Sequence, residues 1–163
     1  MITPRLAELA TDIAGRLISR GETVGVAEGS AGGLVSASLL SVPGASAYFA
    51  GGTIVYTADA YRAFIDGAAP RPAGMRGATE PFAAHLAESV AIKLGTVWGL
   101  AEAGAAGPPN RYGDPAGHAW VAVHGPTVTT RHVLTKLDDR GENMIAFTIA
   151  ALELFADVLA AAS

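Results

Sequence analysis

Apolar residues recur at Leu6, Leu9, Ala10, Ile13 and Leu17, the three-and-four spacing of one helix face. Thr3-Pro4 precedes them and Gly21 follows, which supplies an N-cap, a first-turn proline and a glycine stop, so a helix is predicted between these marks. The pattern then tightens to a continuous apolar run, and a strand is predicted over 23–28. Ser30 is placed to cap a helix over 31–41, whose small residues allow close packing on a sheet, and Pro43-Gly44 breaks it. A β-branched run predicts a second strand over 52–57, and the prolines and glycines between 66 and 77 predict a surface loop.

Further along, Thr79-Glu80-Pro81 repeats the cap-then-proline signal ahead of Phe82, Leu86, Val90 and Leu94 on one helical face. Residues 96–103 are apolar enough for a buried strand, and 104–117 form a second glycine-rich loop. Runs at 119–124 and 128–134 flank Gly125-Pro126 and predict an antiparallel hairpin. The last helix is predicted over 143–162, with Met144, Phe147, Ala151, Phe155 and Leu159 on one stripe. Helices alternating with strands, and a hairpin added late, predict one α/β domain over residues 1–163. The expected architecture is a three-layer α/β/α domain with a mainly parallel sheet plus an antiparallel hairpin.

Composition narrows the chemistry. Half of the residues are hydrophobic and 16% are charged, enough for a sizeable core and too little charge for long disorder. A net charge of −4 with scattered Lys and Arg argues against nucleic acid as a partner. The absence of cysteine excludes disulfides, thiolate catalysis and Cys-ligated zinc. His85, His118, His124 and His132 have no metal-ligand spacing, so no metal is expected, and His85 is expected on the exposed or flanking side of its helix. No uninterrupted apolar run reaches the roughly 18–20 residues of a membrane span. Arg5, Glu8 and Asp12 are unlike a signal peptide, so a cytoplasmic protein without membrane contact is expected.

Two glycine loops carry the candidate chemistry. Val24 to Gly33 reads as a strand feeding a Ser-bearing turn and a helix amino terminus. There Ser30 is either a plain cap or part of a cradle for a phosphate or oxyanion, with Gly32 and Gly33 permitting close approach. The spacing of Gly25, Gly29, Gly32 and Gly33 fits neither a Walker loop nor a dinucleotide fingerprint. The second loop, Gly104 to Pro109, follows an apolar strand, the place for a pocket at the carboxyl edge of a sheet. Arg140, before the last helix, is either a solvated charge or a planar donor to a ligand phosphate.

Taken in order, these stretches resemble the CinA carboxy-terminal domain family of competence-damage-inducible proteins, whose characterised members are nicotinamide-nucleotide amidases. The family's Ala-Glu-Ser-x-Thr-Gly-Gly turn stands here as Ala27-Glu28-Gly29-Ser30-Ala31-Gly32-Gly33, and its Pro-Gly-Ser/Ala-Ser segment as Pro43-Gly44-Ala45-Ser46. Its Gly-Gly strand ending in Tyr-Ser-Asn-x-x-Lys matches Gly51 to Tyr56 and then Thr57-Ala58-Asp59-Ala60-Tyr61. Its Gly-Ala-Val-Ser helix start is similar to Gly77-Ala78-Thr79-Glu80, slightly shortened. Its Thr-Gly-x-Ala-Gly-Pro loop is similar to Ala103-Gly104-Ala105-Ala106-Gly107-Pro108, and its Gly-Asp-Arg segment to Asp138-Asp139-Arg140.

The resemblance implies an amide hydrolase with a serine nucleophile, a basic activating group and backbone oxyanion donors. The chain departs from it at the reactive positions. Gly29 stands for the serine, Ala31 and Ala103 for threonines, Tyr61 for the lysine and Met144 for a second arginine. Loss of a nucleophile costs turnover a factor of roughly a million.

Three readings follow. In the first, a diverged member holds a small molecule such as a pyridine nucleotide, with Glu28, Gly29, Ala31, Gly32, Gly33, Tyr61, Ala103, Gly104, Gly107 and Arg140 as binding residues. In the second, an amidohydrolase uses Ser30 as nucleophile, assisted by Tyr56 or Tyr61. In the third, a structural or partner-binding protein keeps a vestigial pocket. The resemblance and the small apolar residues also lead to the expectation of a homo-oligomer, and no cofactor is called for.

Overall fold

In the computed structural model, which describes residues 2–162, α1 (Pro4–Arg20) begins and ends at its sequence marks. The Thr3 hydroxyl accepts the Leu6 N–H, and Gly21 closes the helix at φ 64°. Leu6, Leu9, Ala10, Ile13 and Leu17 are all buried.

Five strands form one sheet: β1 (Val24–Glu28), β2 (Phe49–Ile54), β3 (Trp98–Ala105), β4 (His118–His124) and β5 (Val128–Leu134), in the order β2-β1-β3-β4-β5. β1 runs parallel to both β2 and β3, and β4 and β5 add the antiparallel hairpin. The helices α2 (Leu34–Leu40), α3 (Ala58–Phe64), α4 (Glu80–Leu94) and α5 (Arg140–Ala161) complete the chain.

Side chains alternate across a strand, so each strand feeds both faces. Val24, Val26, Trp98 and Leu100 point into one core cluster with residues of α1, α2 and α5. Ala27, Ala101 and Ala103 point into the other, with Tyr61 and Ile65 from α3 and its end and Leu86, Ala87 and Val90 from α4. Three layers result. α5 has the length and apolar composition of a membrane span. It is also a helix of this core, since Phe147, Ala151, Phe155 and Leu159 are fully buried.

Several elements differ from their expectation for physical reasons. β2 starts at Phe49 and ends at Ile54, which places Tyr56 in the loop beyond it. Gly52 lies inside the strand because the Ser36 side chain occupies the space its own would need, whereas a Cβ at Gly51 would meet Leu94 in ordinary contact at 3.5 Å. The second helix starts at Leu34, since Gly32 and Gly33 take φ 68° and 102° and cannot continue a helix backward. Its cap is the Glu28 carboxylate and not Ser30. α3 was unforeseen; the Thr57 hydroxyl caps it through the Ala60 N–H. His85 is 4% exposed and faces Tyr61, the reverse of an exposed flank, because α4 is covered by sheet on one side and by α3 on another.

Candidate functional site

The carboxyl ends of β1 and β3 open on a cavity of about 740 Å³. From β1 the chain connects to β2 on one side while β3 pairs on the other, the place in an open sheet where loops diverge and leave a crevice. The turn after β1, the loop after β2 and the long segment before α4 contribute walls, and Asn110–Tyr112 contributes a rim.

Two buried carboxyl groups organise the turn. Glu28 accepts four bonds, from the N–H groups of Gly33 (2.9 Å), Val35 (3.1 Å) and Ser36 (2.9 Å) and from the Ser36 hydroxyl (2.8 Å). Glu102, its register partner on β3, accepts the Gly29 N–H (3.1 Å), the Ala31 N–H (2.8 Å) and the Ser30 hydroxyl (2.6 Å). Burial, with a smaller push from Glu28, raises the Glu102 carboxyl to about 7 against the pull of Ser30 and the two backbone donors. The turn's anion-binding donors are therefore occupied, and the anions are the protein's own.

The direction of each side chain follows from alternation. Glu28 and Glu102 lie on the α1–α2–α5 face, in step with Val26 and Leu100. The Ser30 hydroxyl, bonded to Glu102, is held on that face. Residue 29 faces the other way. A side chain there would meet only the Val55 and Glu102 carbonyl oxygens at 3.5 Å and the Ala103 backbone at 4.0 Å, beside the cavity.

The cavity itself lies on the α3–α4 face. Tyr61 forms part of its wall, and its hydroxyl shares a hydrogen bond with His85 Nε2 at 2.7 Å. Burial holds the Tyr61 phenol above and the His85 imidazole below their ordinary values, so the pair stays neutral at neutral pH. The Arg71 guanidinium covers the Tyr61 ring at 4.7 Å. Arg76 binds Asp114 at 2.7 Å and lies over the Tyr112 ring at 4.5 Å, and Arg111 donates to the Tyr112 hydroxyl at 2.8 Å. With Arg62 these are the cations of the wall, and Asp66 is its acidic member.

Of the residues marked in the sequence, Gly29, Ser30, Tyr56, Tyr61, Ala103 and Gly104 line the cavity. Glu28, Ala31, Gly32, Gly33, Gly107 and Arg140 do not. Glu28 is a helix cap, Ala31 is fully buried, and a side chain on Gly32 would come within 2.9 Å of Met144. Arg140 bonds the Gly107 carbonyl and donates to the Tyr56 hydroxyl at 2.9 Å, so it braces the rim through protein partners. Sequence reasoning missed Arg71, Arg76, Arg111, His85 and Glu102. The one available signal was three arginines set among prolines and glycines in otherwise featureless loops.

Comparison with known proteins agrees with the fold. The CinA C-terminal domain model matches residues 6–159. A CinA-like protein of Frankia casuarinae is 32% identical over 148 residues, covering 91% of this chain and 34% of that protein. One from Synechocystis sp. is 36% identical over 149 residues, covering 90% and 36%. The chain thus spans about a third of the length of these curated relatives. The crystal structure of the competence/damage inducible protein CihA from Agrobacterium tumefaciens superposes with a TM-score of 0.87 at 26% identity, covering 98% of each chain. A CinA superfamily protein from Klebsiella pneumoniae, at 24% identity, shares the fold with a TM-score of 0.87, covering 95% of this chain and 98% of that one.

Proposed function

Since the chain belongs to the CinA C-terminal domain family, we propose that it is a diverged member that binds an anionic, ring-bearing small molecule of the nucleotide class and lacks the serine–lysine chemistry of the resemblance. One observation carries this reading. Arg62, Arg71, Arg76 and Arg111 converge on one cavity beside the rings of Tyr56, Tyr61, Phe82 and Tyr112, in a chain whose net charge is −4. Guanidinium groups suit phosphate as planar, multiply donating cations, and flat rings suit a heterocycle. A concave site of this size with few polar anchors is the usual form of a small-molecule pocket.

The reactive positions support binding over turnover. Position 29 offers no side chain toward the cavity, and the Ser30 hydroxyl is spent on Glu102 on the opposite face. Tyr61 is a neutral phenol bonded to a neutral imidazole, and it has no charge with which to activate a nucleophile.

The test is a thermal-shift titration with nicotinamide mononucleotide and nicotinic acid mononucleotide, with ammonia measured in the same samples. A ligand that binds only the folded chain raises its melting temperature with concentration, and this rise without ammonia is the expected result. No shift with either nucleotide would overturn the binding reading. Ammonia release that vanished in Ser30→Ala would replace it with the Ser30 hydrolase.

A further inference from the structure

Ala78 forms part of the cavity wall and holds a left-handed backbone, with φ 56°. A residue with a Cβ avoids this region and persists there only when its surroundings impose it. Ala78 is 7% exposed, so the position is a packed one. The group that imposes it is on the sheet. His118, the first residue of β4, donates Nε2–H to the Ala78 carbonyl at 2.9 Å.

The bond is directional for a chemical reason. A carbonyl only accepts, so Nε2 carries the hydrogen that is donated to Ala78. His132 Nε2 lies 2.8 Å from His118 Nδ1, and the His132 ring rests against Trp120 with centroids 4.9 Å apart. The Nδ1 side of the His118 ring is thereby fixed from the sheet, which leaves its Nε2 side to hold the Ala78 carbonyl. The segment it holds is internally tied: Arg76 donates to the Gly77 carbonyl at 3.1 Å and the Thr79 hydroxyl to the Arg76 carbonyl at 2.6 Å. Arg76, two residues before Ala78, also carries the Asp114 bond at 2.7 Å and lies in the cavity wall.

We infer that His118 is a positioning residue for this cavity: by holding the Ala78 carbonyl it keeps a left-handed residue in place and so fixes the Arg76 wall against which an anionic ligand is bound. His118 does not itself line the cavity; it acts through Ala78. Without the bond, Ala78 relaxes to negative φ, which redirects Gly77 and swings Arg76 off the wall. The inference rests on the anionic-ligand reading for its effect on affinity, and on the backbone alone for its effect on the wall.

The experiment measures dissociation constants for inorganic pyrophosphate and nicotinamide mononucleotide by calorimetry, with melting temperature and amide hydrogen exchange over residues 74–79. His118→Leu should weaken both ligands about tenfold, the equivalent of about 1.4 kcal/mol, and speed exchange in that segment. His118→Gln, which keeps an amide donor, should return most of the affinity. The decisive variant combines His118→Leu with Ala78→Gly. Glycine adopts the left-handed backbone without strain, so binding and exchange should recover although the imidazole is gone. A merely structural histidine would not be rescued in this way.

Should His118→Leu fold poorly, Ala78→Val reads the same link with His118 intact, because a β-branched residue cannot hold that φ and affinity should again fall about tenfold. Unchanged affinity in His118→Leu, or a double variant no better than the single one, would overturn the inference. If the wild-type chain binds neither probe, the ligand reading fails. The exchange rates of the four variants then decide the positioning role separately.

Discussion

The two faces of the sheet treat the end of β1 in opposite ways. On the α1–α2–α5 face, the turn after β1 is closed on itself: Glu28 takes the donors of α2, and Glu102 takes Ser30 and the N–H groups of Gly29 and Ala31. On the α3–α4 face, the same turn presents a bare glycine to a cavity whose cations come from α3 (Arg62) and from loops. The first face is rich in charge and has none to spare. The second has arginines around open space. A conspicuous sequence motif thus serves as scaffold, while most of the cavity's cations stand in stretches without a pattern.

The sharpest way to break this contrast is to remove the anion that closes the first face. Glu28→Ala strands the N–H groups of Gly33, Val35 and Ser36 at a buried helix start. Hydrogen bonds to a buried charge contribute about 1.5–3 kcal/mol each, only partly recovered by water, so a loss of about 4 kcal/mol is expected in urea unfolding. A loss below about 1 kcal/mol would mean that the turn is not held by this carboxylate.

Glu102 gives the next largest effect, and its sign is fixed. Its folded value is raised from 4.5 to about 7, so its contribution to stability is full below pH 4.5 and is lost as pH rises through 7. Between pH 4.5 and 8 the loss amounts to about 3 kcal/mol for this fully buried group. Glu102→Gln keeps an acceptor for Gly29 and Ala31 and offers its amide to Ser30, so urea unfolding of that variant should vary far less over the same range. An equal slope in wild type and variant would place the titrating group elsewhere.

What was legible in the sequence follows the same divide. α1, the β4–β5 hairpin and α5 were readable because their caps, periodicity and turn residues are local. The turn after β1 stood open between a plain cap and a cradle for a phosphate or oxyanion, and the carboxyl groups that its donors meet, Glu28 and Glu102, could not be read. Glu102 lies inside an apolar strand and reaches Ser30, 72 positions before it in the chain, only because β3 pairs with β1. The Tyr61–His85 bond and the arginine wall had no signal for a related reason. They join α3, α4 and two loops that approach only after the sheet has formed.

The smallest change in stability tests the second face. Gly29 has no left-handed φ, and a Cβ there finds ordinary contacts at 3.5 Å, so Gly29→Ser should alter unfolding by less than about 1 kcal/mol and aim a hydroxyl into the cavity. Alone it should release no ammonia from nicotinamide mononucleotide, because the phenol at position 61 is bound to His85 and uncharged. With Tyr61→Lys added, an amine would stand beside Arg71, whose charge lowers its proton affinity and favours a base near neutral pH. Ammonia from the double variant and from neither single variant would mean that the cavity still fits the amide nucleotide and that only its reactive groups are gone. Silence from the double variant, with both nucleotides still raising its melting temperature, would mean that the arginine wall now seats the ligand out of reach of position 29.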